Sequence, residues 1–246
     1  MISLWNVDGV SELTAALLGA LVGGAASGFA SWILQRREFA KDAEDRAREK
    51  RGRDRSLILQ AYYACWQAAS DQHKFLENVT DAEGRMSSVW APDLPGLSKK
   101  WMALLPQSNL PNPIRVDQEA LTVLVDHDRA DLLMQVSNVQ AAHDSDLKLW
   151  QSFGESKRRF GEKVSVSTEG GEPQTMLSKE DVAKLYPHLK ELSDLSESIF
   201  SMTKEHCPEA RKATDDLAAF IEEKFDKKFT MVWPAAPDDP DEKSRA

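Results

Sequence analysis

Between Leu13 and Leu34 the chain runs for 22 residues without one charged side chain, with Asp8 and Glu12 before it and Arg36 and Arg37 directly after it. At 1.5 Å per residue a helix of that length covers about 33 Å, enough to cross a hydrocarbon core of about 30 Å with modest tilt. The expectation is a transmembrane helix over 13–34, with Trp5 and Trp32 near its two ends. A cleaved signal peptide is one alternative, but its positive region should precede a shorter apolar stretch, and here the front flank is acidic. A buried helix of a globular core is the other. Basic excess behind the run places that side in the cytoplasm, so the lipid bilayer of the inner (cell) membrane is the expected location and residues 1–12 lie outside.

Small residues recur inside the run at every fourth position: Gly19, Gly23, Ser27 and Ser31 on one row, Ala16, Ala20, Gly24 and Gly28 on the next. Such rows leave a flat groove that a second helix can approach closely. A homo-oligomer is therefore expected, with Gly19, Gly23, Gly24 and Gly28 as pairing positions. A pore is disfavoured, because no polar or charged side chain marks a conduction path.

The net charge is −9, yet residues 36–55 hold nine basic and six acidic side chains. Acid and base interleave at helical spacing, as in Lys41 with Asp45, flanking the stripe Phe39, Ala43, Ala47. This reads as a charged helical stalk over 35–55, self-paired or free, and Arg36 and Arg37 serve orientation or contact with anionic lipid. An acidic remainder argues against nucleic acid as a partner, since phosphate binding needs a clustered basic face. Two cysteines, Cys65 and Cys207, form no disulfide or zinc spacing and are expected as free buried thiols.

From 56 to 232 the pattern is helical throughout. Ile58, Tyr62, Cys65, Ala69, Leu76 and Val79 trace one face of a first helix that should end near 81–84, with Gly52 as a point of interruption before it. Prolines at 92, 95, 106, 111 and 113 then mark a crossover. It carries Trp90 and Trp101, offered as a partner or core contact, and a short helix over 98–105. Another short helix over 118–125 precedes a long one over 129–164. Residues 165–178 fit either a small hairpin turned at Gly170-Gly171 or a disordered loop. Ser178 is the N-cap candidate of a third long helix that Pro187 starts or kinks, and Pro208 suits the first turn of a fourth. Residues 233–246 are acidic and proline-rich, hence a disordered tail. The expected fold is all-α: a membrane helix continuing into a stalk and an antiparallel bundle of about four long helices.

The sharpest catalytic motif is a pair of His-Asp dipeptides, His127-Asp128 and His143-Asp144. Metal phosphohydrolases of the HD type hold divalent metal with such residues, but the two histidines here stand 16 positions apart and no distant Asp in an apolar setting completes the set. Glu205-His206-Cys207 places three ligand types side by side, where neighbours on a helix point in different directions; His206 is better read as a helix-end residue before Pro208. No other catalytic or cofactor motif is present, so no cofactor and no enzymatic activity are expected. The layout of a glycine/alanine-rich span, the exit Gln35-Arg36-Arg37-Glu38 and a helical bundle resembles bacterial single-pass membrane proteins of uncharacterised role with a cytoplasmic helical domain. That resemblance implies an architecture and carries no site residues. The leading expectation is a membrane-anchored scaffold that oligomerises or docks a protein partner. A membrane effector or stress sensor, self-assembling through its span, is the alternative, and a degenerate HD-type phosphohydrolase the second.

Overall fold

The computed structural model of the chain describes residues 7–87, 96–164 and 179–226. Among the described residues every regular element is a helix: α1 (Val7–Met86), α2 (Lys100–Ala103), α3 (Gln118–Asp126), α4 (Ala130–Lys163) and α5 (Lys179–Phe225). The protein is all-α. It divides into two compact units, Met1–Arg53 and Asp54–Ala246. Trp90, Ser178, the stretch 165–178 and the tail 233–246 lie outside the described residues.

In the first unit α1 runs without interruption through Gly19, Gly28 and Gly52. Its charged half is held by local pairs such as Arg48 with Glu44, 2.7 Å apart. Among the described residues no helix is long and apolar enough to cross a membrane. That finding overturns the expected span over 13–34, and with it the inner-membrane, single-pass placement with an outside N-terminus. The expectation rests on the length of the run and its freedom from charge. Alanine, glycine, serine and threonine fill 13 of the 22 positions, and small side chains transfer little apolar surface out of water. The lipid roles of Arg36 and Arg37 lose their basis, as does the membrane-effector alternative. Arg36 instead lies over the Trp32 ring, 5.4 Å from its centroid, and Trp32 stacks on Phe29 at 5.9 Å.

The second unit is a helical bundle in which the later part of α1 packs with α4 and α5. One apolar cluster joins Ile58, Tyr62 and Cys65 of α1, Leu132 and Val136 of α4, and Leu217 and Phe220 of α5. The other joins Phe75 and Val79 of α1, Trp150 and Phe153 of α4, and Leu192 and Ile199 of α5. Chain order within the clusters makes α1 and α4 parallel and α5 antiparallel to both. The crossover therefore has to bring the chain back along the bundle. It does so by seating α2 and Leu104 in the second cluster and Ile114 with α3 in the first. Trp101 is buried there, edge-on to Phe160 at 5.4 Å, so it is a core residue and not an outward partner contact.

The described residues hold three long helices, not four. Pro187 and Pro208 both sit inside α5, which runs on through them. Packing supplies the reason: buried side chains continue on both sides of Pro208, from Ile199 and Thr203 to Ala210 and Leu217. A continuous apolar stripe outweighs one lost backbone hydrogen bond. α3, by contrast, ends at Asp126, and two residues on, Asp128, with a φ of 57°, takes the left-handed turn, while the Arg129 N–H donates to the Leu124 carbonyl at 2.8 Å.

Candidate functional site

Between the two apolar clusters each long helix turns polar. On α1 the consecutive residues Asp71, Gln72 and His73 are buried; on α4 His143 and Asp146; on α5 Thr203. His206, also on α5, reaches the same layer with a side chain 14% exposed. Helical spacing sets them at one level: Asp71 to His73 follow Ala69 and precede Phe75, and His143 and Asp146 fall between Val139 and Leu147.

Asp146, 2% exposed, is the hub. Its carboxylate accepts from the Gln72 side-chain amide on α1. It also lies 2.9 and 3.1 Å from His206 Nδ1 on α5, so one side chain ties all three helices. Asp71 makes a second tie. Its Oδ2 lies 3.5 Å from His143 Nε2, an ion-pair distance longer than a good hydrogen bond. Its Oδ1 accepts from Lys74 Nζ at 3.2 Å. Burial pushes the Asp71 carboxyl up, but the proximity of His143 and Lys74 outweighs burial and holds it below its ordinary value. His73 faces Glu77 at 3.4 Å on its own helix. Nδ1 of His143 and the indole N–H of Trp150 meet no hydrogen-bond partner within the protein.

Carboxylates paired with imidazoles have the components of acid–base chemistry, but His143 is wholly buried, so no substrate can reach it in this conformation. What the arrangement does is fix the helices against one another. Nor are the two His-Asp dipeptides brought together as a metal set. Asp144 turns to Arg115, 2.7 Å away, while His143 turns to Asp71. His127 packs edge-on against Phe220 and Phe225 and lies 3.9 Å from Asp54, and Asp128 takes the left-handed turn that follows α3. Among the described residues no group of three or more His, Cys, Asp or Glu side chains is placed to hold a metal ion.

Of the histidines singled out in the sequence, His143 takes part in the layer. His206 does too, but from the middle of α5 and not from a helix end, because α5 continues through Pro208. Asp71, Gln72, His73 and Asp146 carry the layer with them. The signal that finds them is a shared gap in three apolar stripes, visible only when the stripes are aligned with each other. Cys65 and Cys207 are free and buried, and burial pushes the Cys65 thiol up to about 12.

Of the expected pairing positions, Gly19 and Gly28 have no atom within 4 Å of where a Cβ would stand; Gly23 and Gly24 share the same helix. Around them Leu18 and Phe29 are each 63% exposed, Trp32 52% and Phe39 72%. Compared with known proteins, the chain has no match: no family model, no curated protein and no solved structure is similar to it.

Proposed function

We propose that the protein is a non-enzymatic helical module that assembles through the helical segment 7–53, with the three-helix unit as the body so displayed. The observation that carries this is the exposure of Leu17, Leu18, Phe29, Trp32, Leu34 and Phe39 along one segment. Each such side chain left in water forgoes about 1.5–3 kcal/mol of burial, and contiguous exposed apolar side chains, as Leu18, Phe29, Trp32 and Phe39 are on one face, mark interaction surfaces. The second unit differs in that it buries two apolar clusters of its own, with Tyr63, Trp66, Leu105, Val125, Met134 and Tyr186 left exposed around them.

Sedimentation of the full chain at micromolar concentration tests this, beside a Leu18→Asp/Phe29→Asp variant. The expected result is a wild-type mass at a multiple of the 27.5 kDa chain that falls to the monomer in the variant. A wild-type protein that stays monomeric as its concentration rises overturns the self-assembling form of the proposal.

A further inference from the structure

The exposed segment carries a second pattern. Leu18, Val22, Phe29, Trp32, Phe39 and Ala43 stand at steps that alternate between four and three residues once positions 25 and 36 are counted in. Apolar residues repeating every 3.5 positions along a helix form the seam of a coiled coil. Leu18, Phe29, Trp32 and Phe39 are large members of the series, and all four are exposed. Arg36, the polar member, is drawn aside over Trp32 at 5.4 Å. Leu17 and Leu34 fall off this seam and stay on the outside of a pair.

Continued in both directions, the same steps reach Ala15, Ser11 and Asp8 on one side and Arg46, Lys50 and Arg53 on the other. The seam is acidic at its beginning and basic at its end. A parallel partner would set Arg46, Lys50 and Arg53 each against its own copy, and like charges so placed repel. An antiparallel partner reverses every one of those meetings. With position i facing position 61 − i, Asp8 faces Arg53 of the other copy, Ser11 faces Lys50, and Glu12 lies beside the same basic end. Large then meets small: Leu18 with Ala43, Phe39 with Val22, and Arg36 with Ala25, while Phe29 meets Trp32. The register begins at the second described residue and ends at Arg53, the last residue of the first unit.

From this we propose that the segment 7–53 pairs with a second copy of itself as an antiparallel two-helix coil in which Asp8 faces Arg53. The inference rests on the self-assembling reading above and adds its partner, direction and register.

Disulfide trapping of the full chain separates the possibilities. Leu18→Cys and Ala43→Cys variants are prepared singly, mixed to equilibrium and oxidised. The native Cys65 and Cys207 are buried, so background coupling is low. The expected result is a band of doubled mass from the mixture and none from either variant alone. Doubled bands from each variant by itself mean a parallel pair, which overturns the antiparallel register while leaving self-assembly standing. An associated mass by sedimentation with no disulfide in any sample places the contact elsewhere and likewise overturns it. A monomeric mass removes both the inference and the reading beneath it.

Discussion

Lys157 is a cation with no carboxylate in its described contacts. Its ammonium donates to the Trp101 carbonyl at 3.1 Å and to that of Leu104, while Arg85 donates to the Ala103 carbonyl at 3.1 Å. Two cations thus gather the carbonyls at the C-terminal end of α2, where positive charge is favoured, and pin the crossover to α1 and α4. Burial, and then repulsion from Arg85, lower the Lys157 ammonium to about 8. An unfolded chain keeps that proton up to the ordinary 10.5, so between the two values the unfolded state binds more protons and stability rises with pH. The thermal midpoint of the wild type, measured against a Lys157→Met variant, should accordingly climb from pH 8 to pH 10, and a constant difference between them would refute the effect. Asp71 works in the opposite range. Its carboxyl is held below the ordinary 3.8, so its contribution is complete above that value and disappears as the pH falls through the lowered one.

At the scale of elements, helical periodicity was legible, while the interruptions expected at Gly52 and Pro208 do not occur. The sequence places helices over 118–125 and 129–164, and α3 and α4 occupy Gln118–Asp126 and Ala130–Lys163. Apolar spacing is a local property, which neighbouring residues suffice to reveal. Proline is judged by a local rule too, but its outcome is decided by packing several turns away, and α5 continues through Pro208 because buried residues flank it on both sides. The uncharged run 13–34 was legible as a run, yet no helix among the described residues is long and apolar enough to cross a membrane. Pro208 leaves the Lys204 carbonyl without its helical N–H donor, and proline in a helix interior costs about 3 kcal/mol relative to alanine. Since Pro208 is exposed, Pro208→Ala should raise the denaturation midpoint by an amount equivalent to about 1–3 kcal/mol. A lower midpoint would mean that the bundle depends on a bend at this position.

Across the whole molecule, the polar layer poses a question of stability against specificity. It was not legible in the sequence, because Gln72, Asp146 and His206 stand far apart in the chain and only the packed bundle brings them together. Taking buried charge out of water is costly, and the attraction within a buried pair often no more than offsets that cost. Removing one partner is different, since it leaves the others uncompensated. Asp146→Ala should destabilise the protein by about 3–5 kcal/mol in chemical denaturation. Replacing the set together, as Gln72→Leu/Asp146→Leu/His206→Leu, should recover that loss and leave stability equal to the wild type or higher by about 1–4 kcal/mol. If the triple variant is as unstable as the single one, the layer supplies net stability. If it is stable, what the layer supplies is alignment: an apolar stripe unbroken from Ile58 to Val79 would let α1 slide by a turn against α4 and α5, and Asp146 bonded to both neighbours forbids it. Amide hydrogen exchange distinguishes these cases, because a sliding helix loses protection along α1 while the denaturation midpoint holds.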